Sequence, residues 1–153
     1  MSHVAVMEGI NILDLDALEV ACAGLGLELL RGQTTYAWWG YSVGDSPLPA
    51  GMKVEDLGTC HHAIRVKGTV PANGTGGPWE IGLWPNAQGG YSPVCDYFGA
   101  AGQALMKVVG ENGGALAQAY NSEVILRELA RQGCRVESVI GADGTRRITA
   151  VQA

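Results

Sequence analysis

The chain has 153 residues, 47% of them hydrophobic and 16% charged, with a formal net charge of -5. A chain of that size buries about two-thirds of its unfolded surface, enough for one core, and the composition is the reverse of the polar, highly charged signature of disorder. Ten basic against 15 acidic residues exclude a surface built for a nucleic-acid polymer, and no apolar run reaches the about 18 residues of a membrane span.

Residues 3–12, starting at His3, alternate loosely between apolar and polar and predict a first strand. Asp14 stands at a helix N-cap position, Leu15, Leu18, Cys22 and Leu25 recur at helical spacing, and Gly24 and Gly26 supply a stop, so a helix is expected over 15–24. Residues 27–31 and 35–41 are rich in strand formers and flank the turn-like Gly32-Gln33, which predicts a hairpin. From 43 to 58 the glycines, prolines and Asp45 break any periodicity, and a loop follows.

Residues 60–66 and 79–84 are the next expected strands, joined by the Gly/Pro-rich stretch 68–78, and 91–98 is another. Residues 99–109 have helical tendency. A second main helix is predicted over 116–132, with Leu116, Tyr120, Ile125, Leu126 and Leu129 on its apolar face and Gly133 ending it. Asp143-Gly144 between 134–140 and 145–151 is a strong signal for a closing hairpin.

The whole reads as one α+β domain over 1–153 with a Gly/Pro-rich central insert at about 44–78. Its sheet is mostly antiparallel, with two main helices and a pseudo-duplicated helix-plus-hairpin unit at each end. Cys22, Cys60, Cys95 and Cys134 are scattered without paired spacing, as befits reduced thiols in a cytoplasmic protein.

Four aromatic residues, Tyr36, Trp38, Trp39 and Tyr41, crowd one expected strand, and alternation sends Tyr36 and Trp38 to one face and Trp39 and Tyr41 to the other. Strand propensity explains such enrichment as core or subunit interface. A flat exposed ring is equally a platform for a planar ligand, and with Trp79 and Trp84 these residues form the candidate ligand-binding set.

Cys60 and His62 are the candidate metal ligands. On one strand they share a face, which permits joint ligation and equally joint burial. Cys60, His62 and Asp96 also make a drawable nucleophile, base and orienting group, but nothing nearby depresses the thiol pKa. Burial of both residues outweighs metal or thiol chemistry, and no cofactor is implied. The tract Asn73-Gly74-Thr75-Gly76-Gly77 lacks the lysine of a P-loop and the spacing of a dinucleotide fingerprint, so a flexible loop is the better reading. Arg127, Arg131, Arg135, Arg146 and Arg147 gather near the C-terminus as a solvated face.

Ser2-His3, Asp14-Leu15 with Leu18, Leu25-Gly26, Tyr36, Trp39-Gly40, Leu57-Gly58 with Cys60, His62-Ala63-Ile64, Glu80-Ile81-Gly82, Tyr91, Asp96 and Gln132-Gly133 together carry a resemblance. The chain resembles the uncharacterised family first met as a conserved open reading frame of algal chloroplasts and cyanobacteria, with members in other bacteria and in phages. The central insert is longer here than in chloroplast-like members. His61 stands where related sequences often carry Asp, and Cys95 and Tyr97 replace aromatic residues around the aspartate. The resemblance implies no activity; its bacterial setting beside AAA-class ATPases implies a partner or ligand.

The expected function is a non-enzymatic, self-associating binding module, phage-encoded if that branch is its home and then acting in the host cytoplasm, that holds a small polar or nucleotide-like ligand. The alternatives are a protein-interaction adaptor, for example for an AAA-class ATPase, and a metal- or thiol-dependent enzyme.

Overall fold

The computed structural model describes residues 4–40, 48, 51–70 and 77–152. His3, Tyr41, most of the expected loop at 43–50 and the tract 73–76 lie outside the described residues.

The α+β reading holds. Strands β1 (Val4–Val6), β2 (Leu27–Arg31), β3 (His62–Val66), β4 (Ile81–Pro85) and β5 (Tyr91–Asp96) form an antiparallel sheet in the order β1-β5-β4-β3-β2. Helices α1 (Leu15–Gly24) and α3 (Gly114–Arg131) are the two main ones, and the shorter α2 (Gly99–Val109) occupies the segment of helical tendency. Strands β6 (Cys134–Ile140) and β7 (Arg146–Gln152) pair only with each other among the described residues. Among those residues no helix is long and apolar enough to cross a membrane.

Helix α1 begins where its cap says it should: Asp14 Oδ1 accepts the N–H groups of Asp16 at 3.0 Å and Ala17 at 3.1 Å. Its Ala17, Leu18, Ala21 and Cys22 are buried against the sheet, and the chain leaves through Leu25 and Gly26. The Tyr120 hydroxyl of α3 accepts the N–H groups of Leu13 and Asp14 at 3.0 and 3.1 Å, fixing α3 across the start of α1. The expected apolar face of α3 is only partly right. Leu116 and Tyr120 are buried, but Ile125 is exposed, because a five-residue step past Tyr120 turns the side chain about 140° around the axis.

Strand alternation sorts the sheet into two faces. Leu27, Leu29, Ile64, Ile81, Leu83 and Cys95 join the helices in the larger core, where Trp79 is also buried. Ala63 and Val94 face the other way and form a second core with Val4, Tyr36, Met52 and Cys60. Residues 33–40 therefore run as a strap across the sheet's second face, with Leu48 and residues 52–60 beside them.

This placement overturns the expected hairpin of 27–31 with 35–41. Strand β2 pairs instead with β3, from Leu27↔Val66 to Arg31↔His62, and the strap keeps a single bridge, Thr35 to Thr59. The physical reason is that two strap amides are already taken by side chains: Ala37 N–H donates to Glu80 at 2.8 Å and Trp39 N–H to Asp96 at 3.3 Å. The C-terminal unit is a helix plus hairpin as expected, whereas in the N-terminal unit the partner of β2 is β3, which lies within the expected insert at 44–78. The first strand is also shorter than 3–12; Gly9, at φ +80, breaks it, and Ile12 returns as an isolated bridge to Tyr91.

Candidate functional site

The strap is held by two buried carboxylates from neighbouring strands. Glu80, just before β4, accepts from Ala37 N–H, from the Gln33 side-chain amide at 3.2 Å and from Arg65 Nε at 2.8 Å. Asp96, at the end of β5, accepts from the N–H groups of Trp39 at 3.3 Å and Phe98 at 2.9 Å. A carboxylate accepting several hydrogen bonds in a dry site is well compensated, so both anions act as fixed anchors.

Two glycines let the strap's rings reach the backbone. A Cβ on Gly82 would lie 2.3 Å from Tyr36 Cδ1, and one on Gly58, itself at φ +88, would lie 2.5 Å from Trp38 Nε1. Tyr36, Gly58, Cys60, Glu80, Gly82 and Asp96 therefore converge where the strap meets the sheet.

The expected ligand-binding set is divided by this packing. Tyr36 is 3% exposed and Trp79 2% exposed, so neither ring is available for stacking; Tyr36 fills the second core, and Trp79 fills the first with its indole Nε1 donating to Phe98 O at 3.3 Å. Trp38 and Trp84 are partly buried against the second core. Tyr41 lies outside the described residues. Among the described members of the set Trp39 alone is substantially open, at 47%, and it meets Phe98, 37% exposed, edge to face at a centroid distance of 5.4 Å. Sequence reasoning missed Phe98, because its role depends on Asp96 aligning two backbone segments far apart in the chain.

Cys60 and His62 do not share a face. The strand begins only at His62, so the alternation assumed over 60–66 does not reach Cys60. Cys60 sits in the second core and donates to Gln33 O at 3.2 Å. His62 is turned to the Gly32 N–H, which donates to its Nδ1 at 2.9 Å, and to the Tyr91 ring at 5.2 Å. Burial, with the charges of His61 and Arg31, lowers the His62 pKa. Among the described residues no three of His, Cys, Asp or Glu form a group suited to a metal ion. Of the C-terminal arginines, Arg127 and Arg131 pair with Glu123 and Glu128, and Arg135 lies 3.9 Å from Glu137.

All four cysteines are free thiols. Burial pushes Cys22 and Cys95 up to about 12 and Cys60 up to about 11, from an ordinary 9.0. A thiol that stays protonated when folded but ionises when unfolded leaves the folded state with more bound protons, so its contribution is intact below pH 9 and is lost as pH rises toward 11–12. Urea unfolding in reducing buffer is therefore expected to show stability falling steadily as pH is raised above 9. A stability level between pH 9 and 10.5 in wild type, and unaltered by Cys22→Ala with Cys95→Ala, would refute the assignment.

A separate cavity of about 510 Å³ opens between α1, α3 and the tip of the β6–β7 hairpin. Its walls include Val20 and Ala21 of α1, Leu25 just after that helix, and Ala115 and Ala119 of α3, with Ile140 and Arg146 contributed by the hairpin. Comparison with protein-family models, with curated proteins and with solved structures gave no match for the chain.

Proposed function

We propose that this chain is a non-enzymatic binding module that holds a small polar, nucleotide-like ligand, with the Trp39–Phe98 pair as its platform. The observation that carries the reading is the anchoring of that pair. Both rings are open, and the backbone N–H groups of both residues end on the same buried carboxylate, Asp96. An aromatic surface fixed in advance loses little freedom on binding a planar group. The chemistry-bearing side chains nearby are committed to the fold: Glu80 and Asp96 hold the strap, and Cys60 is a protonated, hydrogen-bonded thiol. The free thiols suit a cytoplasmic setting, and the family resemblance, including its phage branch, is compatible with sequestration of a nucleotide.

Thermal-shift screening against nucleotides and cyclic nucleotides tests the proposal. A hit is expected to bind Trp39→Ala about tenfold more weakly, because stacking on one aromatic ring contributes roughly 1–3 kcal/mol. The same substitution at this half-open position should lower stability by only about 1 kcal/mol or less. No stabilisation by any nucleotide, or unchanged affinity of the variant, rules the platform out.

A second reading, a self-associating interaction adaptor, is favoured by the C-terminal hairpin. Its outer face exposes Val139, and neither strand has a further partner among the described residues. A two-stranded ribbon is marginal by itself. A chain indifferent to nucleotides that sediments as a dimer, and returns to monomer on Val139→Lys, would shift the assignment to this reading.

A further inference from the structure

The cavity between α1, α3 and the hairpin shares no residue with the strap, and its lining has a distinct chemistry. Its volume of about 510 Å³ falls within the range of small-molecule sites. Two of its polar side chains are already engaged. The Gln118 amide donates to Gly144 O at 3.1 Å, and Glu123 is paired with Arg127 at 3.0 Å.

Two polar groups of the lining are not engaged. Ser122 is 6% exposed, faces the cavity from α3 and has no side-chain hydrogen bond to any described residue. Arg146 reaches the same space from β7 and makes no ion pair or side-chain hydrogen bond among the described residues. Gly114 and Ala115, in the first turn of α3, complete that wall. An unpartnered hydroxyl and an unpaired guanidinium lining one cavity together favour an anion. The carboxylate of Glu123 close by disfavours a dianion, and Val20, Leu25 and Ile140 offer apolar surface for a tail.

We infer that this cavity is a binding site for a small monocarboxylate with an aliphatic tail, its carboxylate on Arg146 and Ser122 and its tail between α1 and the hairpin. The hairpin forms one wall, tethered at its tip by the Gln118 to Gly144 contact, so the ligand would join hairpin to helices. This site is independent of the Trp39–Phe98 proposal, and either can fail alone.

Calorimetric titration of the full chain with octanoate, octanol and acetate tests it. Octanoate is expected to bind saturably, octanol at least about tenfold more weakly for want of a charge-assisted hydrogen bond, and acetate without detectable heat. Arg146→Met should remove the preference for octanoate over octanol. Ala119→Leu, which fills the cavity, should abolish binding of both; its fold is checked by circular dichroism, and Val20→Trp closes the space from α1 if that variant does not fold. Absence of saturable octanoate binding to wild type overturns the site, as does equal binding of octanol, an Arg146→Met protein that keeps the preference, or a folded filled-cavity variant that still binds.

Discussion

Glu80→Ala is expected to destabilise the protein by about 3 kcal/mol, since removing one partner of a buried ion pair leaves the other uncompensated. The loss has three parts. Arg65 forfeits its carboxylate at 2.8 Å, the Ala37 N–H its acceptor at 2.8 Å, and the Gln33 amide its partner. Arg65 keeps some access to water, its side chain being 29% exposed, which holds the effect at the lower end of the range for buried pairs. Glu80→Gln retains an oxygen for Ala37 but no charge for Arg65, so it should fall between wild type and alanine. Urea unfolding monitored by circular dichroism reads the series. An alanine variant within about 0.5 kcal/mol of wild type, the scatter of ordinary surface substitutions, would mean that the strap is not held by this carboxylate.

Gly82→Ala is the second large effect, expected at about 3 kcal/mol as an overpacking of the second core. The position lies in β4, the central strand, paired to Ala63 on one side and Val94 on the other. The backbone there has no room to retreat. A methyl group would meet three atoms of the Tyr36 ring at 2.3 to 3.0 Å, so the ring and the strap carrying it must lift. Tyr36→Phe is the control. The Tyr36 hydroxyl is buried and has no hydrogen-bond partner among the described residues, so its removal should be close to neutral. Combining Gly82→Ala with Tyr36→Ala should recover part of the loss caused by the clash; strict additivity of the two would show that the ring contact is not its source.

The parts of the fold legible in the sequence are those with a local physical signature. Asp14 capping and Gly26 bound α1 at both ends, and Asp143-Gly144 closed the β6–β7 hairpin, because each signal acts through backbone groups two or three residues away. The strap was illegible for the opposite reason. Residues 35–40 have strand composition, but side-chain anchors at Glu80 and Asp96 take two of their amides, and local pattern carries no trace of acceptors 43 and 57 residues downstream. The proposed platform was half legible: Trp39 stood out, while Phe98 and the burial of Tyr36 and Trp79 followed only from the two-sided sheet. The cavity left almost no signal. Its lining is largely small residues, such as Ala21, Ala115 and Ala119, and its distinguishing feature is the space they leave empty.

The route of the strap also orders the assembly of the molecule. Had 27–31 paired with 35–41, the N-terminal unit would close through a short loop, quickly and without help from the rest of the chain. Pairing β2 with β3 instead encloses residues 32–61, the strap among them, in one long loop, and such non-local closure is entropically demanding. The carboxylates that seat the strap belong to the β4 and β5 region, so its final position requires those strands in place. The Trp39–Phe98 surface is consequently completed late, and a chain that has stalled short of the full sheet lacks it.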